Sequence, residues 1–202
     1  MKALVDYLIN IGVLKSSNLV EAFLANDRRD FVLLENQNFP YSNKALSIGY
    51  GQSISQPYTV AFMMELLQPK SGEKVLDVGF GSGWTTGILA NVVGKQGLVY
   101  AVELISEVFQ FGNENLRKYQ YSNIIFFQSS WEDVPIQEFD CILVSAVAKS
   151  LPEKLLAKLK IGGRMVIPIR TGYSQEIQLV KKTGDNNVIK QSFPGFVFVP
   201  LV

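Results

Sequence analysis

The chain has 202 residues and no histidine. Histidine is the side chain whose ordinary pKa lies nearest neutrality. Its absence removes the usual general base, the commonest metal ligand and every Ser-His or Cys-His pair. Any reaction here must need little proton transfer, or must use carboxylate, lysine or tyrosine. Cysteine is almost missing as well. Cys141 stands alone in the apolar run Phe139-Asp140-Cys141-Ile142-Leu143-Val144, so it makes no internal disulfide and reads as core rather than nucleophile. Excess charge of either sign is lacking too. Nineteen Lys and Arg against eighteen Asp and Glu leave a net charge of +1, which supports neither nucleic acid nor an anionic membrane as partner. No apolar run approaches the ~20 residues that span a bilayer. The opening residues mix polar and apolar types, with Asp6 among them, and do not read as a secretory signal. The default expectation is therefore a cytoplasmic protein, monomeric unless shown otherwise, with no metal.

What is present is an ordinary globular composition, 48% hydrophobic and 18% charged, in a length that suits one domain with a real core. Residues 2–25 predict two short helices, with Leu4, Leu8 and Ile9 on one apolar face and Leu19, Val20, Phe23 and Leu24 on another. Asn18, with Glu21 three residues on, suits a capping box for the second helix. Residues 30–51 show no clean period and read as loop, and 56–67 reads as a helix with Pro57 in its first turn. From Glu73 onward strands and helices alternate. Strands are expected near 74–79, 98–103, 123–127 and 139–145, and helices near 82–93, 105–119 and 151–160. That alternation predicts an α/β fold with a doubly wound, mostly parallel sheet. After Gly162-Gly163 the pattern turns to strands at 164–169, 175–181 and 196–201. The turn signal Gly184-Asp185-Asn186-Asn187 before the last suggests an antiparallel hairpin at the sheet's end. The expected organisation is one domain over 1–202, in which 1–70 forms an N-terminal helical and substrate-loop extension.

The richest segment is Val75-Leu76-Asp77-Val78-Gly79-Phe80-Gly81-Ser82-Gly83-Trp84, a buried strand running into a glycine turn and then a helix. Gly79 and Gly81 let the backbone turn tightly and approach a ligand, and the helix aims its positive end at the same place. A dinucleotide fold wants G-x-G-x-x-G, but here the third glycine comes one position early, at Gly83, and Trp84 fills the expected place. Glu103 closes the next strand 20 residues beyond Gly83, where a ribose-binding carboxylate belongs. This combination suits S-adenosylmethionine better than NAD. The bland alternative is glycines as loop punctuation and Glu103 as a solvated strand end.

A second motif, Gly51-Gln52-Ser53-Ile54-Ser55-Gln56-Pro57, places two hydroxyls at i and i+2 before a helix. They read equally as a hydrogen-bonding rim or as helix caps. Taken together, these segments resemble the protein-L-isoaspartate O-methyltransferase family along nearly the whole chain. The family's G-Q-T-I-S-x-P corresponds to residues 51–57, with Ser53 in place of threonine, and its cofactor motif to Val75–Trp84. Tyr121-Ser122-Asn123, Phe139–Ala148, Gly162–Pro168 and Phe198–Leu201 extend the match in order.

The resemblance implies methyl esterification of the free α-carboxyl of L-isoaspartyl residues in damaged proteins, with S-adenosylmethionine as donor. Such a carboxylate, with pKa near ~4, is already ionised at neutral pH and needs no base. The enzyme's task would be to hold that oxygen about 3–3.5 Å from the methyl and to exclude water. Ser55 matches the family's active-site serine, with the expected role of binding the substrate carboxylate or orienting the cofactor. The implied cofactor contacts are Gln52, Ser53, Ile54, Ser55, Gly79, Gly81, Glu103 and Leu104, with Ser129, Ser130 and Gln175 alongside. Phe198–Leu201 would cover the site by main-chain contacts to substrate, or serve only as an edge strand.

Three departures stand out. Gln128-Ser129-Ser130 replaces Gly-Asp-Gly, whose acid meets the adenine amino group, Tyr50 replaces a common histidine, and Val147 replaces an alanine. They leave room for a related enzyme with another carboxyl substrate, or for a silent cofactor-binding relative. Trp84 at the third-glycine position argues against a nicotinamide oxidoreductase. The lack of a basic patch, and of an Asn/Asp-Pro-Pro-aromatic motif, argues against a nucleic-acid methyltransferase.

Overall fold

The computed structural model describes residues 1–135, 138–184 and 187–201. The N-terminal segment forms helices α1 (Lys2–Asn10) and α2 (Ser17–Ala25), then two 3₁₀ turns at Arg28–Phe31 and Leu34–Asn36. A small hairpin follows, β1 (Leu46–Gly49) with β2 (Gln52–Ile54), and then helix α3 (Pro57–Leu67). The expected loop over 30–51 thus carries short structure that has no periodic signal of its own. Its hairpin tip turns through Gly49, Tyr50 and Gly51, all at positive φ, a conformation open to glycine and costly for tyrosine. The Asn18–Glu21 capping box does not form. Ser16 takes the N-cap position without a side-chain bond to the helix's own amides. Glu65 on α3 instead accepts the Ser16 amide at 2.7 Å and its hydroxyl at 2.7 Å, so a long-range contact replaces the local one.

The alternating part gives β3 (Lys74–Val78), α4 (Trp84–Val93), β4 (Leu98–Glu103), α5 (Ser106–Arg117), β5 (Ile124–Gln128), β6 (Phe139–Val144) and α6 (Glu153–Ala157). The long antiparallel strands β7 (Leu159–Thr171), β8 (Ser174–Gly184) and β9 (Asn187–Pro194) end the fold. The sheet order is β5-β4-β3-β6-β7-β8-β9, parallel through β7 and antiparallel beyond it. Between β3 and β6 the winding reverses, which opens a crevice at the carboxyl ends of the strands.

The sheet's burial explains its composition. Val75 through Val78 are buried on both faces, as expected of a parallel strand covered by helices on both sides. One face packs Phe23, Met64, Trp84 and Ile88 against Val75 and Leu143, and the other packs Leu155 and Met165 against Leu76 and Ile142. At the amino ends of the strands, Arg164 forks onto Glu73 at 3.0 and 2.9 Å and also donates to the carbonyls of Leu67 and Gln68. The Cys141 thiol donates to the same Glu73 at 3.3 Å, and burial raises its pKa. It is a core thiol, at the end of the sheet opposite the crevice.

The boundaries that differ most from expectation lie toward the end of the chain, where β7 starts at Leu159 rather than at 164. The helix expected over 151–160 is only Glu153–Ala157, because Leu159 already pairs with Phe139 in the sheet. The third antiparallel strand is β9 rather than 196–201. β9 is an edge strand whose side chains are nearly all exposed, so it has no burial period to read. The apolar run 196–201 is irregular and touches the sheet by one bridge, Val147 to Pro200. Residues 185–186 of the expected turn lie outside the described residues. Among the described residues, no helix is long and apolar enough to cross a membrane.

Candidate active site

Gly79, Gly81 and Gly83 adopt φ of +72, +55 and +89°, angles that glycine reaches without strain. The Gly79 amide donates to Val102 at 2.8 Å and the Gly83 amide to Phe80 at 2.9 Å, which fixes the turn against β4. Gly83 is the N-cap of α4, so the helix starts at Trp84 rather than Ser82. Its missing Cβ also serves packing, since one built there would lie 2.9 Å from the Gly112 carbonyl oxygen and from Leu116. The helix leaves its first amides without intrahelical partners, facing the crevice.

Glu103 closes this turn. Its Oε2 accepts the Gly81 amide at 3.2 Å, and its Oε1 accepts the amides of Leu104 and Ile105 at 2.9 and 3.1 Å. A carboxylate has about four lone-pair sites, so one direction, on Oε2, remains for a further donor. Below the turn lies Asp77, wholly buried. Its Oδ2 accepts from the hydroxyls of Thr86 at 2.7 Å and Thr85 at 3.0 Å, while Oδ1 has no partner among the described residues. Burial lifts this carboxyl to about 6, against the pull of the two threonines and with a smaller push from Glu103.

Gln52, Ser53, Ile54, Ser55, Gly79, Gly81, Glu103, Leu104, Ser129 and Ser130 all line one cavity in the crevice. Gln175 does not. Its Oε1 accepts the Phe198 amide at 2.6 Å and its Nε2 donates to the Phe198 carbonyl at 3.3 Å, so its amide acts as a main-chain partner for the 195–199 segment. Ser129 donates to the Ser130 carbonyl at 3.0 Å, and Ser130 accepts the Glu132 amide at 3.3 Å. Neither Ser53 nor Ser55 caps α3, whose N-cap is Gln56; the Gln56 side chain accepts the Thr59 hydroxyl at 3.4 Å rather than a backbone amide. Thr85, Ile105, Trp131, Ser145 and Ala146 also line the cavity and were not expected to. All but Thr85 lie just past the carboxyl end of a parallel strand, which is the positional signal that could have found them.

A second opening runs from the same wall. It is bounded by Ala45, Gln56, Thr59 and the segment 195–199, and it shares Ser53, Ser55, Ser145 and Val199 with the first. No charged side chain lines it among the described residues. Main-chain bonds from Val147 to Val199 and from Leu201 to Val147, at 2.8 and 2.9 Å, pin its outer wall to the end of β6. Val147 is buried in this turn.

Fold and cavity together define a doubly wound α/β protein of the methyltransferase class. The family model for protein-L-isoaspartate(D-aspartate) O-methyltransferase (PCMT) matches residues 1–202. A protein-L-isoaspartate O-methyltransferase from Methanopyrus kandleri is 40% identical over 202 residues, covering 98% of this chain and 89% of its own. One from Dictyoglomus thermophilum is 40% identical over 204 residues, covering 99% and 90%. Among solved structures, a Plasmodium falciparum chain described as a protein-L-isoaspartate O-methyltransferase, in complex with S-adenosyl-L-homocysteine, superposes with a TM-score of 0.89. It is 26% identical, and the match covers 100% of this chain and 97% of that one. The chain belongs to the protein-L-isoaspartate(D-aspartate) O-methyltransferase family.

Proposed function

We propose that this chain transfers the methyl group of S-adenosylmethionine to the free carboxyl of L-isoaspartyl residues in damaged proteins. The observation that carries the reading is the wall at Ser53 and Ser55, common to two openings. One opening has the glycine turn and a carboxylate with a spare lone pair. The other is an uncharged groove wide enough to be lined from both α3 and the 195–199 segment. A donor in the first and an acceptor in the second meet at Ser55.

The cavity's own features fit the cofactor. The glycines admit a close backbone approach, the α4 terminus favours a carboxylate, and Oε2 of Glu103 can take a ribose hydroxyl. When bound, the cofactor supplies an electrophilic sulfonium methyl. Gln52, Ile54 and Leu104 flank it, and Ser129 and Ser130 offer neutral hydrogen-bonding groups where a base would lie. Ser55 holds the acceptor carboxylate, with a hydroxyl that makes no other side-chain bond among the described residues. Leu201, Pro200 and Val199 close the far wall and exclude water. No step requires a protein base, because the acceptor arrives ionised.

Residues 1–70 serve as the extension that supplies the Ser55 wall to a domain spanning 1–202. The near-neutral charge and the free, buried Cys141 favour a cytoplasmic monomer acting on protein rather than nucleic acid. The test is incubation with methyl-labelled S-adenosylmethionine and an isoaspartyl peptide beside its aspartyl twin. Label in the isoaspartyl form alone supports the reading. Label in neither peptide, with activity on other carboxylates, replaces the substrate; binding without any transfer rejects the enzyme.

A further inference from the structure

A guanidinium does not shed its proton in a protein, so a buried one must find hydrogen-bond acceptors or a counter-ion. Arg28 is fully buried, and among the described residues it forms no ion pair. Its partners are main-chain carbonyls. Nη1 donates to Pro40 and, at 3.4 Å, to Ser42; Nη2 donates to Lys44 at 2.9 Å and to Ser55 at 3.2 Å. Nε has no partner. Burial lowers its pKa to about 10, which leaves the charge in place at neutral pH.

The two sides of this guanidinium belong to the two walls of the site. Its Cζ lies over the Trp84 ring, 5.4 Å from the centroid, and Trp84 is the first residue of α4. The Trp84 indole is fixed in turn, donating to the Asn26 carbonyl at 3.1 Å and packing edge-on to Phe23 at 5.5 Å. Asn26 also seats its side chain against Gly87 on the next turn of α4, where an added Cβ would lie 2.3 Å from its Oδ1. Residues 26–28 are therefore docked on the helix that carries the glycine turn. On the opposite side, the fork gathers an irregular loop, residues 40–44, and the carbonyl of Ser55.

An apolar side chain of similar volume would fill this space without the cost of burying a charge, yet it could hold none of the four carbonyls. We propose that Arg28 is a positioning residue for methyl transfer, fixing the Ser55 main chain at a set distance from the glycine turn. The proposal rests on the methyltransferase reading above, and it assigns Arg28 no contact with donor or acceptor.

Arg28→Lys keeps the cation but loses the planar fork, and Arg28→Met loses both. Hydrogen exchange of the unliganded proteins should quicken over residues 40–56 by about tenfold or more in each variant that folds, with the sheet and α4 unchanged. In Arg28→Lys, kcat for an isoaspartyl peptide should fall between about 10-fold and 100-fold, because small misplacements cost that much. Its affinity for S-adenosylhomocysteine should fall by less than kcat does, because the glycine turn and Glu103 keep their places while only the Gln52–Ser55 side of the cavity loosens. In a Ser55→Ala background the same substitution should lower kcat by under about threefold, since both changes act at one hydroxyl. Unchanged kcat in folded Arg28→Lys would overturn the proposal, as would exchange that quickens equally throughout the chain. Full additivity with Ser55→Ala would overturn action through that serine. If the wild type methylates no isoaspartyl peptide, the functional reading fails on its own, and localised against uniform exchange still decides the role of Arg28.

Discussion

The Glu103 carboxylate accepts the amide of Gly81 at 3.2 Å, tying the end of β4 to the glycine turn at the end of β3. One residue thus shapes the turn and offers the lone pair that would meet the sugar. Glu103→Gln keeps one carbonyl oxygen for the amides but loses the charge. A hydrogen bond to a charged group contributes about 1.5–3 kcal/mol, so affinity for S-adenosylhomocysteine should drop roughly 10-fold to 100-fold. Isothermal calorimetry checks this, and unchanged affinity would remove Glu103 from the cofactor site.

Ser55 stands on the wall shared by both openings, and among the described residues its hydroxyl supports no other element. Ser55→Ala should therefore lower kcat/KM for an isoaspartyl peptide by about 10-fold to 100-fold, from the same size of hydrogen bond. The melting temperature should hardly move. Steady-state kinetics beside a thermal scan separates the two effects.

Gly112 on α5 passes so close to the turn that a Cβ there would lie 2.2 Å from the Gly81 carbonyl oxygen and 2.5 Å from the Phe80 ring. The backbone atom cannot swing aside as a flexible side chain would. Gly112→Ala should destabilise the fold by about 1–3 kcal/mol, lowering the melting temperature by roughly 2–4 °C per kcal/mol. It should weaken S-adenosylhomocysteine binding as well, because the displaced atom belongs to the turn.

Asp77 gives stability a pH dependence of unusual sign. Its folded pKa, raised mainly by burial to about 6, lies above the ordinary 3.8. Between those values the folded chain binds the proton more tightly than the unfolded one, so this group's contribution falls as pH rises through the window. Asp77→Asn removes the effect. The stability difference, variant minus wild type, should grow by about 2–3 kcal/mol from pH 4 to 7 and then level off. Denaturant titrations at several pH values measure it, and a difference that stays flat would contradict the raised pKa.

Much of this site is readable in the sequence because it is local. The strand, turn and helix over Val75–Val93 and the acid 20 residues past Gly83 follow from buried runs, glycine spacing and the length of one βαβ unit. Ser129 and Ser130 are expected at the site only from their place after the third strand, where the family that the chain resembles has Gly-Asp-Gly. What the sequence hides is pairing at long range. Gln175 looked like a cofactor contact, yet its amide is spent on Phe198, 23 residues away. Arg28 sits in a charged Asp-Arg-Arg-Asp run with no apolar period, and it is buried by partners distant in sequence, the loop at 40–44, Ser55 and Trp84. The apolar run 196–201 predicts a strand because apolar patterning reports burial, and here burial comes from walling a cavity rather than from joining a sheet.

The central chemical claim is that an ionised carboxylate takes the methyl group with no base from the protein. The most direct measurement is kcat for an isoaspartyl peptide from about pH 7.5 to 9, above the range where the acceptor carboxylate and the raised Asp77 carboxyl titrate. A level profile is the expected result. A tenfold rise per pH unit with an inflection inside that range would reveal a required base and contradict the account.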